Sequence, residues 1–332
     1  MNKLHGFSCA IIGASGMVGG MFIKILEERG LPISQLSLYA SARSAGQTLL
    51  YKGEAISIQE LTPSIFSENK FDVALFAVDS NISQEYAPLA AKSGCIVVDN
   101  SSAWRMDTAV PLIVPEVNAK DLPQHNGIIA NPNCCATPAV VALKPLLDSY
   151  GLERVVISTY QSVSGAGVGG ITDLERTNDN EEPIQFPHKI AKNLIPHIDS
   201  FLPCGYTGEE KKLMEEVQKI LHCPTLPITA TTVRVPVDYG HSLSINVTLT
   251  NDFDLEDVRS IFANAPGVVL YDDTANNVYP MPIIAAGTDS VYIGRLRRDN
   301  SYKNSLNMWV VADNIRKGAA TNAVQIVEAL VC

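Results

Sequence analysis

A chain of 332 residues is long enough for two domains, each with its own hydrophobic core, at roughly 100 to 200 residues per domain. Its 46% hydrophobic and 18% charged composition is that of a soluble globular enzyme, and no apolar run approaches the ~18 residues a membrane-spanning helix needs. A formal net charge of −10 disfavours nucleic acid and anionic membranes as partners, so an anionic substrate must meet a local basic cluster.

Up to about residue 130 the chain alternates short β-branched runs with helical stretches. Phe7 to Ile12 precedes a helix near Met17 to Arg29, then Leu36 to Tyr39; Phe71 to Val78, a helix near Ser83 to Lys92 and Cys95 to Asp99 continue the pattern. Parallel strands need helical crossovers, so this alternation predicts a doubly wound sheet. Asn131-Pro132-Asn133 punctuates, and Cys134 to Ser149 reads as a helix. Longer strands follow: Arg154 to Val163, Leu226 to Val237, Ser242 to Thr250, Val291 to Leu296 and Ser305 to Ala312. Their length and the scarcity of intervening helices predict a mostly antiparallel sheet with helices on one face. Asn178 to Pro203 is expected to wrap the surface, and Asp313 to Ala329 to form a helix returning to the first domain.

Met1 to His5 shows no signal-peptide pattern, since Phe7 to Ile12 is short and runs into glycines; a cytoplasmic location is expected. The seven cysteines have no repeated CxxC or Cys/His spacing, so neither a disulfide framework nor a metal site is expected. Cys9, Cys95, Cys204, Cys223 and Cys332 read as buried structural thiols.

Gly13-Ala14-Ser15-Gly16-Met17-Val18-Gly19 is a turn between the first strand and the first helix. Glycines there let a pyrophosphate approach the free N–H groups and positive dipole end of a helix. The spacing is GxxGxxG rather than GxGxxG, and such glycines can be turn chemistry alone; the position in the first βαβ unit favours dinucleotide binding. An NAD enzyme carries an acid about 20 residues on, at the end of the second strand. Here Ala40-Ser41-Ala42-Arg43-Ser44-Ala45-Gly46 offers none. A guanidinium flanked by hydroxyls suits a 2′-phosphate, which makes NADP the expected cofactor; the alternative is an exposed loop arginine with turn serines.

Asn131-Pro132-Asn133-Cys134-Cys135 lies at a strand-to-helix junction, where the helix N-terminus lowers a thiol pKa; either Cys134 or Cys135 could be a nucleophile. Glu216 and Lys219, three apart on a predicted helix, share a face, as a surface ion pair also would. Arg234 interrupts an apolar strand, where a long cation needs a partner or an anion. His241 opens the next strand and is as readily structural as catalytic.

Along nearly its whole length the sequence resembles the aspartate-semialdehyde dehydrogenase family. Gly13 to Gly19 is similar to that family's cofactor turn, and Ser41 to Gly46 to its loop for the NADP 2′-phosphate. Asp99-Asn100-Ser101-Ser102-Ala103-Trp104-Arg105 resembles the segment whose arginine grips the substrate phosphate. Pro132-Asn133-Cys134 resembles the nucleophile motif, which selects Cys134 over Cys135 and gives Asn133 a phosphate contact. Tyr160-Gln161-Ser162-Val163-Ser164-Gly165-Ala166-Gly167 resembles the signature in which Gln161 orients the thiohemiacetal. Glu209-Glu210 through Glu216 and Lys219 is similar to the helix that supplies a glutamate to the substrate amine and a lysine to the phosphate. Val233-Arg234-Val235-Pro236-Val237 with His241 resembles the strand carrying the carboxylate-binding arginine and the acid/base histidine, and Ala312 to Ala320 the closing segment beside the nicotinamide.

The resemblance implies an α/β chain: a Rossmann-type dinucleotide-binding domain over residues 1–132, with 313–332 packing back on it, and an α+β catalytic and dimerisation domain over 133–312 with a mostly antiparallel sheet. It implies Cys134, His241 and Gln161 as catalytic, and Arg105, Asn133, Glu216, Lys219 and Arg234 as substrate-binding. Gly13, Ser15, Gly16, Met17, Val18, Gly19, Ser41, Arg43, Ser44, Ser164, Gly165 and Asn314 would hold NADP. The implied reaction is NADPH-dependent reductive dephosphorylation of L-aspartyl phosphate to aspartate semialdehyde and phosphate, in biosynthesis of lysine, threonine, methionine and isoleucine, by a homodimer. Three residues depart from the family pattern: Cys135 where Ser or Thr is usual, Leu243 where an acid is common, and Val217 where Thr is common. Rival readings are N-acetylglutamyl phosphate reduction, which needs no ammonium partner, and a catalytically silent Rossmann binding protein. The phosphorylating glyceraldehyde-phosphate type would want the acid that the second strand lacks.

Overall fold

In the computed structural model, which describes residues 6–331, the β-branched runs of the first part of the chain form a sheet of seven strands. Met1 to His5, read above for a leader, and Cys332 lie outside the described residues. β1 (Phe7–Ile12), α1 (Met17–Glu28) and β2 (Ile33–Ala40) make the first crossover. β3 (Thr48–Tyr51) and β4 (Glu54–Glu60) follow as a hairpin that the hydrophobic pattern does not announce. Its turn is Lys52-Gly53, both at positive φ (50° and 80°), the geometry of a tight two-residue hairpin without the usual Asn-Gly or Asp-Gly cue. Next come α2 (Ile65–Glu68), β5 (Val73–Phe76), α3 (Ser80–Lys92), β6 (Ile96–Asp99), α4 (Pro115–Asn118) and β7 (Ile128–Ala130). The strand order is β3-β4-β2-β1-β5-β6-β7, parallel throughout except at the β3/β4 hairpin.

The later part contains α5 (Ala136–Tyr150), β8 (Leu152–Gln161), α6 (Gly167–Asn178), α7 (Gly208–Ile220), β9 (Ile228–Arg234), β10 (His241–Leu249), α8 (Leu255–Asn264), β11 (Val268–Leu270), α9 (Pro282–Ala285), β12 (Val291–Arg298) and β13 (Ser305–Ala312). Its six strands run β11-β12-β13-β10-β8-β9, antiparallel in the middle and parallel in the pair at each edge. Register decides what meets at one end of this sheet. Gln161, the last residue of β8, pairs with Arg234, the last of β9, while antiparallel β10 begins there with His241.

The chain divides into two compact units, one ending at Pro132 and resuming at Ala319, the other Asn133–Gly318. The helical stretch expected from Asp313 is present as a π-helical turn, Arg316–Ala320, that runs into α10 (Thr321–Val331). Before it, Asp313 Oδ1 accepts the N–H groups of Ile315 and Arg316 and its carbonyl accepts Gly318 N–H, which bends residues 313–318 into a capped turn. In the first unit α10 joins the core of the Rossmann-like sheet: Ala323, Val324 and Val327 pack with Phe7, Ile11, Phe22, Leu26, Leu38 and Leu75, all fully or nearly fully buried. Among the described residues no helix is long and apolar enough to cross a membrane.

The segment expected to wrap the surface after Asn178 is pinned by one buried carboxylate. Asp173 on α6 accepts the backbone N–H groups of Ile184, Gln185 and Phe186 at 2.8, 2.7 and 2.8 Å, and Ile190 and Ile195 bury against Val163 and Leu174. Burial alone would raise the Asp173 pKa; the three N–H donors, with Arg176, overcome it and hold the carboxyl below its usual range. Its ionised form therefore stabilises the fold fully above the unfolded-state value of about 4, and that contribution fades as pH falls through the lower folded value. We predict that Asp173→Ala costs about 2 to 3 kcal/mol at neutral pH, by orphaning three amides, and that the gap between variant and parent narrows below about pH 4. Urea midpoints measured against pH check this; a gap that widened on acidification would contradict it.

Candidate functional site

Two of the glycines in the first turn are there for lack of space. A Cβ on Gly13, whose φ is +89°, would lie 2.2 Å from the Ala77 carbonyl oxygen, and one on Gly19 would lie 2.2 Å from the Gly13 oxygen. The N–H groups of Gly13 and Ala14 bond the Tyr39 carbonyl at the end of β2, which seats the turn beside the neighbouring parallel strand. Gly16 stands at the N-cap of α1, the helix has no acid in its first turn, and Ser15 and Gly16 are exposed with Met17 and Val18 part-buried, so an approaching anion meets helix N–H groups unopposed. After β2, Ala42–Ser44 is one 3-10 turn: Ser44 is buried, Ser41 and Arg43 exposed, and no acid stands among them. These residues fit a phosphorylated dinucleotide. Arg105, in the same unit, is buried and donates from Nε to the Asn131 carbonyl (3.0 Å) and from Nη2 to that of Asn100 (2.8 Å).

In the second unit the nucleophile candidates open α5. Asn133 Oδ1 accepts the N–H groups of Cys135 (2.8 Å) and Ala136 (3.3 Å), covering the first donors of the helix. The Asn133 N–H donates to Glu216 Oε2 at 2.6 Å and its Nδ2 to Glu209 Oε1 at 2.9 Å, so the residue before Cys134 is held from three sides. Cys134 is partly exposed and Cys135 is buried. Their thiols move apart: the Cys135 S–H hydrogen-bonds to Cys134 and, against the opposing effect of burial, with His241 and Arg234 adding their charge, brings Cys134 well below the ordinary thiol range. Burial, reinforced by Cys134, pushes Cys135 well above it. A Cβ on Gly318 would fall 3.1 Å from the Cys134 Cβ, so that glycine keeps the thiol's surroundings open.

His241 is fully buried, and the Ser162 backbone N–H donates to its Nδ1 at 3.1 Å. Ser162 Oγ lies 3.0 Å from the same Nδ1; because the backbone N–H can only donate, the neutral ring is favoured with its proton on Nε2, an atom with no hydrogen-bond partner among the described residues. Arg234 is buried; its Nη1 donates to the Ser162 carbonyl at 2.7 Å, its guanidinium lies 5.7 Å from the Phe186 ring, and its buried Nε has no partner. Burial lowers its pKa, while Cys134, Glu209 and Cys135 oppose that. Gln161 is buried, with Nε2 donating to Glu209 Oε1 (3.1 Å) and Thr159 Oγ1 (3.3 Å). Gly165 abuts the same groups: a Cβ there would sit 2.6 Å from Arg234 Nη1 and 3.1 Å from His241 Nε2. Asn314 accepts from Ser162 Oγ and Gly240 N–H and donates to Ser164 Oγ, tying three loops together.

Thus Cys134, Gln161, Arg234, His241, Asn133 and Glu216 converge in one unit, with Lys219 one turn beyond Glu216 on α7, whereas Arg105 and the glycine turn belong to the other. Leu243 and Val217, the departures from the family pattern, are both fully buried apolar residues. Sequence reasoning passed over Glu209, Gly318 and Ser162; the last orients both His241 and Arg234 through its backbone, which no side-chain pattern reveals. Among the remaining thiols Cys9 and Cys95 are buried as expected, but Cys204 is exposed in the turn closed by Gly205 and Cys223 is only partly covered. Cys134, Cys135 and His241 bring donor atoms within 4.8 Å of one another, a grouping that chain spacing could not foretell.

Comparison with known proteins follows the same division of the chain. Residues 8–125 match the family model described as semialdehyde dehydrogenase, NAD binding domain, and residues 143–317 the one described as semialdehyde dehydrogenase, dimerisation domain. The chain is 50% identical to the aspartate-semialdehyde dehydrogenase of Aquifex aeolicus over 98% of each. It is also similar to the crystal structure of aspartate semialdehyde dehydrogenase II from Vibrio cholerae, with a TM-score of 0.95 and 42% identity over 98% of each chain. The same Vibrio cholerae enzyme complexed with ASA superimposes with a TM-score of 0.94 at 41% identity over 98% of each chain.

The paired thiols generate a pH-dependent expectation. Alkylation of Cys134 by iodoacetamide should stay fast well below the ordinary thiol pKa of about 8.5. Cys135→Ala removes the largest influence lowering the Cys134 pKa, so the alkylation profile should move to higher pH while most turnover survives at alkaline pH. Cys135→Ser, which keeps a donor, should move it less. Cys134→Ser should end alkylation at this site and turnover together and leave cofactor binding intact. An unmoved profile in Cys135→Ala would show that Cys135 does not support the thiolate.

Proposed function

Since the chain belongs to the aspartate-semialdehyde dehydrogenase family, we propose that it performs the NADPH-dependent reductive dephosphorylation of L-aspartyl phosphate to aspartate semialdehyde and phosphate on Cys134. The observation that carries the assignment to this site is the Ser162 N–H bond to His241 Nδ1, which leaves an Nε2 proton facing a thiol of lowered pKa. The Cys134 thiolate attacks the acyl carbon, the carbon–oxygen bond to phosphate breaks, and a thioester results. When bound, the nicotinamide cofactor supplies the hydride that reduces it. His241, as the imidazolium whose Nδ1–H Ser162 Oγ can accept, protonates through Nε2–H the alkoxide that develops; collapse returns that proton, breaks the carbon–sulfur bond and frees the thiolate with the aldehyde.

Arg105, Asn133 and Lys219 are assigned to the phosphate, Asn133 through the one Nδ2 hydrogen not given to Glu209. Arg234, with its unpartnered buried Nε, is assigned to the substrate carboxylate and Glu216 to its ammonium; the two fix the reacting carbon against sulfur. Gln161 holds the thiohemiacetal. Ser164, Gly165 and Asn314 border the nicotinamide end of the cofactor, and Gly13 to Gly19 with Ser41, Arg43 and Ser44 its phosphates. A homodimer through the second unit's sheet belongs to the same reading: a dimerisation-domain match covers it, and one face leaves Tyr160, Ser244 and Trp309 only half-buried.

Cofactor choice follows from Arg43 and the absent acid. NADPH should be preferred, and Arg43→Ala should lose about 1.5 to 3 kcal/mol of NADPH binding, roughly ten- to a hundredfold, with little change for NADH. Equal use of both cofactors by the parent enzyme would remove this loop's role.

Substrate identity follows from charge. An acetylated amine offers no cation to Glu216, so the charge-matched contact that an ammonium would make there is lost. Phosphate-dependent oxidation of aspartate semialdehyde should be fast and that of N-acetylglutamate semialdehyde slight, with Glu216→Gln raising KM for the former. Faster turnover of the acetylated aldehyde would refute the aspartate assignment even with the Cys134 chemistry intact.

A further inference from the structure

We propose that Glu209 is a positioning residue for this reaction, whose carboxylate orients the Gln161 and Asn133 amides; this rests on the roles given above to Cys134 and Gln161. The acids of α7 have separate tasks. Glu210 closes a capping box with Thr207 and accepts the Thr232 N–H at 3.0 Å, which joins the helix start to β9. Glu216 takes the Asn133 backbone N–H. Glu209, second residue of the helix and 7% exposed, takes neither part: its Oε1 accepts from the side chains of both Asn133 (2.9 Å) and Gln161 (3.1 Å).

An ionised carboxylate can only accept, so each carboxamide must turn its NH2 end toward Glu209. For Asn133 this leaves Oδ1 to cap the N–H groups of Cys135 and Ala136, and the start of the nucleophile helix is fixed. For Gln161 the consequence is chemical. Its second Nε2 hydrogen goes to Thr159 Oγ1, so both hydrogens are spent and Oε1, which takes no hydrogen bond among the described residues, is left for substrate. Gln161 is thereby fixed as an acceptor, suited to the hydroxyl of a thiohemiacetal already protonated by His241 rather than to an oxyanion. A neutral glutamine at position 209 would fill the same volume but both donate and accept, and the Gln161 amide could invert. A carboxylate is tolerated there because it lies in the first turn of α7, where the helix dipole favours negative charge, and because Arg234 is close enough to feel it.

The test is a double-mutant cycle of Glu209→Gln and Gln161→Ala, reading kcat and KM for aspartate semialdehyde and the rate of Cys134 alkylation in the free enzyme against pH. We expect Glu209→Gln to lower kcat about ten- to a hundredfold, a loss typical of a misplaced reacting group, with KM for the cofactor unchanged. Cys134 alkylation should not slow, because removing a nearby negative charge favours the thiolate; simple damage to the helix start would slow both. In the Gln161→Ala background the same change should cost much less, leaving only the part that passes through Asn133. Undiminished kcat in Glu209→Gln, multiplicative losses in the double variant, or alkylation falling together with kcat would each overturn the proposal. If Glu209→Gln does not fold, Glu209→Asp, which keeps the charge but shortens the reach, replaces it in the cycle with the same expectation. A Gln161→Ala enzyme of full kcat would overturn the assignment of Gln161 itself and this proposal with it, whereas a crippled Gln161→Ala beside an unaffected Glu209→Gln would overturn the Glu209 proposal alone.

Discussion

Burial favours the protonated form of a thiol, and where two thiols are adjacent the ionisation of one further discourages that of the other. Cys134 and Cys135 divide along that line: Cys135, buried, keeps its proton and donates it as a hydrogen bond, and Cys134, partly exposed, accepts it and ionises early. The second unit is arranged around this asymmetry. Asn133 caps the helix start that carries both residues, and Glu209 and Glu216 hold Asn133 from α7. A thiolate that needs little reorganisation before it attacks is the result, because the charges and dipoles that stabilise it are in place beforehand.

Ser162 carries the same logic into the proton donor. Its N–H fixes the His241 tautomer, its carbonyl takes Arg234 Nη1, and its hydroxyl joins Asn314. One residue at the end of β8 thus sets the acid and the cation relative to each other, and the register that pairs Gln161 with Arg234 brings the rest to the same sheet end. Mutation of the Ser162 side chain would leave the two backbone bonds in place but remove the hydroxyl that lies 3.0 Å from His241 Nδ1 and bonds Asn314.

The elements legible in the sequence were those whose signal is local. The glycine turn into α1, the alternation of parallel strands and helices, the long strands of the second sheet and Cys134 at a helix start all follow from patterns within a dozen or so residues. What was not legible depends on long-range geometry or on weak turn chemistry. The β3–β4 hairpin turns on Lys52-Gly53, α6 starts among glycines that suggest a loop, and the helix read from Asp313 begins as a π turn, Arg316–Ala320, rather than an α turn. Glu209 looks like any acid in the first turn of a helix; only the fold sets it against Gln161, 48 residues away along the chain. The family resemblance supplied the roles of Arg234 and His241, which periodicity alone leaves as one interrupted strand and one lone histidine.

Two thiols and an imidazole within 4.8 Å also form a donor set that zinc would accept, and the hydrogen bond at the far nitrogen of the ring distinguishes the two uses. A metal-bound histidine gives its other N–H to an acceptor, which raises the ring's basicity and leaves the ligating nitrogen its lone pair. Here that other nitrogen meets two groups of Ser162, its N–H donor at 3.1 Å and its hydroxyl at 3.0 Å, so a metal on Nε2 would set the ring's remaining proton against the N–H donor. In the favoured neutral tautomer and in the imidazolium alike Nε2 carries a proton, and the imidazolium can give it to an alkoxide formed on Cys134. The protein has placed these three side chains so that protons are held at Cys135 and His241 and withheld from Cys134, the distribution an acyl-transfer nucleophile requires and a metal centre would have to undo.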